Sequence, residues 1–208
     1  MRTRRHIPNL LTGARLLAVP VCLVMMEWMT APAQVLFWVF CAASITDFLD
    51  GYLARRWQVT STFGALLDPI ADKLLVALML VYLLVEQGNG VHCCGGSDSP
   101  SLSAPPPFFA GFATAALFLP VVVILLRELY ISGLREFLAA RGMTLPVSRG
   151  GKLKTTLQMV GIALLLGGMA FAIPEAGRLG TIAIWLAAMV AFITAIDYTR
   201  GSWALLRI

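Results

Sequence analysis

The chain has 208 residues, 59% hydrophobic and only 13% charged, with a formal net charge of +5 and a mean hydropathy of +0.82. Those values exclude an ordinary soluble domain and describe a polytopic membrane protein. The basic excess does not point to nucleic acid, because no basic face with interleaved aromatics accompanies it.

One membrane-embedded domain over residues 1–208 is the natural division. The fold class expected is all-α, with six transmembrane helices preceded by a short interfacial helix. Hydropathy places the spans at about 14–30, 32–50, 66–86, 108–127, 155–174 and 179–196. Each is near the ~20 residues that a helix needs to cross a bilayer. No internal repeat is visible.

The segment 1–13 comes first. Ile7, Leu10 and Leu11 alternate with Asn9 and Thr12 at helical spacing, which suits an interfacial helix that turns Asn9, Thr12 and Arg15 toward a site on that side. A plain topogenic anchor fits the composition equally well. Arg2, Arg4 and Arg5 precede an apolar run without a small-residue cleavage site, so a retained first helix is expected, not a removed signal peptide. Pro20 and Pro120 fall inside spans and imply kinks, tolerable where a neighbouring helix or water satisfies the freed carbonyl. Cys22 and Cys41 lie in apolar runs and are expected to pack.

Between the second and third spans stand four carboxylates. Asp47 and Asp50 are three apart and Asp68 and Asp72 four apart, so on helices each pair shares a face. A carboxylate at mid-membrane costs roughly 2.5–3.5 kcal/mol. Four of them must therefore sit near an interface, bind cations, or both. Two helix ends joined by a Gly-bearing turn at Gly51 would close an all-oxygen cage suited to Mg²⁺ or Mn²⁺. Two ions so held are a standard device for attack at phosphorus, and the last carboxylate of the cage is the natural base for an acceptor hydroxyl.

Residues 87–107, rich in Gly, Ser and Pro, read as a flexible external loop. His92, Cys93 and Cys94 inside it have no metal-ligand spacing. Beyond the fourth span, Arg127 and Arg135 are eight residues apart, about two helical turns, and so share a face. Lys152 and Lys154 follow a Gly150-Gly151 turn expected just before the fifth helix. Several cations near an acidic metal site make sense if the acceptor is itself anionic, its phosphate clamped by arginine forks and lysine charges. With a cytoplasmic N-terminus, 15 of the 16 Lys and Arg fall on the inner side and only Arg178 on the outer. This positive-inside bias puts both termini, the acidic turn and the basic segment in the cytoplasm, as in a multi-pass protein of the inner membrane.

The run Asp47-x2-Asp50-Gly51-x2-Ala54-Arg55-x8-Gly64-x3-Asp68-x3-Asp72 resembles the motif of the CDP-alcohol phosphatidyltransferases, with every fixed position filled. The resemblance implies that Asp47, Asp50, Asp68 and Asp72 are metal ligands and Asp72 also the base. It further implies that Gly51 and Gly64 let a nucleotide approach the backbone, that Arg55 and Ser61 contact the pyrophosphate of a CDP-lipid, and that Asn9, Thr12 and Arg15 complete that subsite. The segments Asn9-Leu-Leu-Thr12-Gly-Ala-Arg15, Arg127-Glu-Leu-Tyr-Ile-Ser-Gly-Leu-Arg135-Glu and Gly151-Lys152-Leu-Lys154-Thr-Thr-Leu-Gln158 are similar to one branch, the bacterial phosphatidylglycerophosphate synthases. That branch implies transfer of the phosphatidyl group of CDP-diacylglycerol to glycerol 3-phosphate. Arg127, Arg135, Ser148, Lys152 and Lys154 would hold the acceptor phosphate, and a homodimer with one site per subunit would embed in the bilayer. Sister transferases acting on inositol phosphate, serine or phosphatidylglycerol remain alternatives. An ion or proton transporter would place its acids near the midplane between repeats, which this chain does not do, and a structural scaffold leaves the filled motif unexplained.

Overall fold

The computed structural model describes residues 3–28, 32–57, 62–88, 107–143 and 149–206, with side chains described for a subset of these. Within them the chain forms six helices: α1 (Thr3–Trp28), α2 (Pro32–Trp57), α3 (Thr62–Gly88), α4 (Pro107–Ala139), α5 (Arg149–Phe171) and α6 (Pro174–Leu206). Among the described residues three stretches are long and apolar enough to cross a membrane, Ala116–Ala139, Gly150–Phe171 and Pro174–Trp203. Shorter apolar helical stretches cover Leu16–Met26 and Ala33–Thr46. Among the described residues the regular structure is entirely helical, and the protein is a membrane protein.

The helices outrun the apolar spans at their polar ends. No break separates residues 3–13 from the first span, because α1 continues from Thr3 to Trp28. The segment expected as a separate interfacial helix is therefore the first turns of α1. The Gly-bearing turn expected at Gly51 is not a turn. The good helix formers Leu53, Ala54, Arg55 and Arg56 carry α2 on to Trp57, and Gly64 lies inside α3. Likewise α4 runs past Arg127 to Ala139, and α5 already begins at Arg149, so Gly150 and Gly151 are helical. The hydrogen bonds of each backbone are satisfied within its own helix, and hydropathy does not mark where that stops. Of the expected loop 87–107, residues 87 and 88 close α3 and Pro107 is the first residue of α4. Residues 89–106, including His92, Cys93 and Cys94, lie outside the described residues.

The tightest pairing is between α5 and α6. A Cβ on Gly180 would stand 2.9 Å from the Leu165 nitrogen and 3.0 Å from the Gly161 carbonyl oxygen, and one on Gly168 would stand 2.8 Å from the Gly177 nitrogen. Small residues let these backbones touch, which is how helices pack where lipid supplies no hydrophobic drive between them. Their connection is short. Ile173 donates to the Gly168 carbonyl at 3.0 Å, Ala172 takes φ 53°, and Pro174 opens α6 in the arrangement that ends one helix and starts the next. At the end of α4, Gly142 (φ 72°) lies in a similar cap, with Met143 donating to the Leu138 carbonyl at 2.9 Å.

Contacts fix the directions. α4 runs parallel to α6, with Ala116 beside Trp185, Arg127 beside Thr194 and Tyr130 beside Thr199. α2 meets α5 through Gln34 donating to the Ala170 carbonyl at 3.1 Å and edge-to-face contacts of Phe37 and Trp38 with Phe171. The core holds Leu36, Phe40, Met79, Leu80, Leu83, Leu117, Ile124, Ile162, Leu165, Leu166 and Ile184, all fully buried. Cys22 packs there as expected, and Cys41 is half-buried. Leu179, Ile182, Leu186, Met189, Phe192, Ile193 and Ile196 form an exposed apolar stripe along α6 at helical spacing, the face a bilayer would cover. Polar side chains gather at the opposite end of the bundle from the Gln34 and Phe171 contacts, and the candidate site is there.

Candidate active site

The site is built on one turn of α4. Glu128 and Ser132 are four apart and so lie on one helix face. Lys73 of α3 donates to the Ser132 hydroxyl, which in turn donates to the Glu128 carbonyl at 2.7 Å. Lys154 of α5 donates to Glu128 Oε1 at 2.6 Å, and Arg127 Nη1 donates to the same oxygen at 2.8 Å. This single turn thus ties the helix that carries Asp68 and Asp72 to the helix that carries the basic segment.

Burial gives these contacts their weight. Lys154 is 3% exposed and Arg127 9%, while the Glu128 side chain is 24% exposed. A buried ammonium or guanidinium is tolerated only where a carboxylate and further hydrogen bonds replace water. Arg127 Nη2 also donates to Thr194 Oγ1 at 3.3 Å, and its guanidinium lies 5.8 Å from the Tyr198 ring centre. Its Nε is buried and, among the described residues, has no hydrogen-bond partner. Arg135 also meets Tyr198, donating to its hydroxyl at 3.3 Å with the guanidinium 5.6 Å from the ring centre. The shared face expected for the two arginines is present, and α6 supplies the aromatic ring that both meet.

A pocket of about 470 Å³ opens between α3, α4 and α5. Its wall is apolar along Leu74, Val76, Ala77, Leu125, Leu129 and Met159, and polar where Lys73, Glu128, Ser132, Lys154, Thr155 and Gln158 meet. Two cations, Arg127 and Lys154, meet the Glu128 carboxylate, and Lys73 is held one turn along by Ser132. Among the described residues the polar wall carries Lys73 and Lys154 against Glu128 alone, which suits an anionic group attached to an apolar or small polar body.

Of the residues singled out from sequence, the structure brings Arg127 and Lys154 together around Glu128 and sets Arg135 against Tyr198. Lys152, two residues from Lys154, is exposed. Asp47, Asp50, Gly51 and Arg55 fall on the last turns of α2, Gly64, Asp68 and Asp72 on the first turns of α3, and Asn9, Thr12 and Arg15 on α1; their side chains lie outside the described set, as do Ser61 and Ser148 altogether. Among the described residues no group of three His, Cys, Asp or Glu gathers to hold a metal. The chemistry of the four aspartates still fits a hard divalent cation: each pair sits within one turn of regular helix, and all donors are oxygen. Sequence reasoning passed over Glu128, Ser132, Lys73, Thr194 and Tyr198. The signal for Glu128 was available, since a lysine destined for an apolar helix interior needs a counter-charge at the same depth.

Residues 5–193 match the family model described as CDP-alcohol phosphatidyltransferase. The chain belongs to the CDP-alcohol phosphatidyltransferase family. This phosphatidyltransferase is similar to a protein of Rickettsia prowazekii, 36% identical over 203 residues that cover 97% of each chain. It is also similar to one of Cereibacter sphaeroides, 37% identical over 93% of this chain and 94% of that one, and to one of Pseudomonas fluorescens, 34% identical over 95% and 90%. All three relatives are named CDP-diacylglycerol–glycerol-3-phosphate 3-phosphatidyltransferase.

Proposed function

We propose that this phosphatidyltransferase moves the phosphatidyl group of CDP-diacylglycerol onto the sn-1 hydroxyl of glycerol 3-phosphate, giving phosphatidylglycerophosphate and CMP. The observation that carries the reading is the pocket wall on which Lys73, next in sequence to Asp72, and Lys154 of the basic segment both stand. An acceptor phosphate drawn to that wall is held beside the helix of the motif. The names of the relatives favour glycerol 3-phosphate over other phosphorylated acceptors.

In this reading the acceptor hydroxyl oxygen attacks the phosphorus that bears diacylglycerol, and the bond from that phosphorus to the CMP oxygen breaks. Asp72 takes the hydroxyl proton. Asp47, Asp50, Asp68 and Asp72 would hold two Mg²⁺ or Mn²⁺ ions, whose chemistry there would be neutralisation of phosphoryl charge. Asn9, Thr12, Arg15, Gly51, Arg55, Ser61 and Gly64 hold the nucleotide head. Arg127, Arg135, Ser148, Lys152 and Lys154 orient the acceptor phosphate, so that positioning supplies much of the acceleration. An apolar pocket with a polar, cationic end is what a lipid-linked reaction needs.

The same reading makes residues 1–208 one domain with six membrane crossings, the first turns of α1 at the interface. The site and both termini are cytoplasmic, by the positive-inside bias. The domain pairs as a homodimer with one site per subunit. The test is CMP release from CDP-diacylglycerol by purified protein supplied in turn with glycerol 3-phosphate, inositol phosphate, serine and phosphatidylglycerol. Turnover with glycerol 3-phosphate is expected; turnover with another acceptor in its place would move the chain to a sister activity.

A further inference from the structure

We infer that Glu128 is a positioning residue for the acceptor phosphate, because its carboxylate holds the Lys154 ammonium at the wall of the pocket between α3, α4 and α5. The inference rests on the acceptor reading above.

Lys154 lies in the interior of the bundle, 3% exposed, and within the described residues its hydrogen bond is to Glu128 Oε1. An ammonium at that depth stays where a carboxylate meets it and turns toward water where none does. Glu128 therefore decides whether Lys154 faces the pocket. The geometry separates this from a simple structural ion pair. One carboxylate oxygen serves two cations, Arg127 Nη1 and Lys154 Nζ, and a third, Lys73, is held one turn along α4 by Ser132. Among the described residues the cluster sets three cations against one carboxylate, and two of those cations, Lys73 and Lys154, line a cavity of about 470 Å³. An incoming phosphate completes the balance. Arg127 is fixed from its other side by Thr194, so Lys154 is the cation that depends on Glu128 most.

The opposite role is also chemically sensible: a carboxylate that competes with the phosphate for Lys154. The two differ in sign. With purified enzyme in detergent or nanodiscs, Glu128→Gln is expected to raise KM for glycerol 3-phosphate about tenfold, the effect of losing one charge-assisted contact, and to leave KM for CDP-diacylglycerol within about twofold. Glu128→Asp recovers part of the loss. In a Lys154→Gln background, Glu128→Gln adds no further rise, since its effect passes through Lys154. Melting of the protein titrated with glycerol 3-phosphate gives a readout apart from turnover, and Glu128→Gln needs about ten times more ligand for the same shift. An unchanged or lower KM for the acceptor, an equal rise for both substrates, or additive effects in the double variant would overturn the inference. If Glu128→Gln does not accumulate as folded protein, the acceptor KM of Glu128→Asp decides in its place. Wild-type turnover with a different acceptor would defeat the acceptor reading alone, and the same comparison run with that acceptor then decides the role of Glu128.

Discussion

Trp185 donates its indole N–H to the Ala116 carbonyl at 2.8 Å, and Ala116 is the residue four before Pro120 on α4. Proline has no N–H, so within α4 the Ala116 oxygen loses its usual partner. An unsatisfied carbonyl at membrane depth is costly, and α6 supplies the missing donor. Trp185→Phe is expected to lower thermal stability by roughly 0.6–1.7 kcal/mol. In a Pro120→Ala background, where the helix regains its own donor, the same change costs less. Melting temperatures of the four proteins check it; equal losses in both backgrounds would show that the indole matters only for packing.

Asp72→Asn removes the proposed base while keeping shape. CMP release is expected to fall by at least about 10²-fold with melting unchanged. Wild-type turnover in that variant would take the role from Asp72. A chelator is expected to abolish turnover of the wild-type enzyme, and added Mg²⁺ or Mn²⁺ to restore it.

Arg135 is exposed and leans on Tyr198, so its loss should not disturb the core. Arg135→Ala is expected to raise KM for glycerol 3-phosphate severalfold, more than for CDP-diacylglycerol. Tyr198→Phe, which keeps the ring and removes the hydroxyl, is expected to do the same more weakly. Equal effects on the two substrates would argue against an acceptor role for Arg135.

The two helix ends with positive φ respond oppositely to the same chemistry. Gly142 needs the freedom it has, and Gly142→Ala is expected to cost about 1 kcal/mol. Ala172 holds φ 53° with a Cβ present, and Ala172→Gly is expected to relieve part of that strain. Thermal melting with opposite shifts checks both.

The order and approximate position of the helices were legible in the sequence, because lipid imposes long apolar runs. α2 begins at Pro32 and α4 at Pro107, close to where hydropathy rises. Their far ends were not legible. Asp47 to Trp57, Glu128 to Ala139 and Arg149 to Lys154 are polar or mixed, yet helical, since a backbone continues its hydrogen bonds past the apolar segment. The basic character of the site was legible in Arg127, Arg135, Lys152 and Lys154, but their differing fates were not. Lys152 and Lys154 are two apart, so a helix sends one outward and the other inward, whereas a turn at Gly150 and Gly151 would have left both free. The partners of Glu128 come from α5 and from its own neighbour, so spacing along α4 does not encode the relationship, and the one signal for it is the counter-charge that an inward lysine needs.

Because α2 runs unbroken past Asp50 to Trp57 and α3 starts at Thr62, the spacing of the aspartate motif is largely a matter of helical pitch. One residue inserted between Asp47 and Arg55 would rotate them relative to each other by about 100°, whatever its identity. The same insertion within residues 58–61 would leave the internal phase of each pair untouched. The first half of the motif should therefore be intolerant of length change even where it accepts substitution.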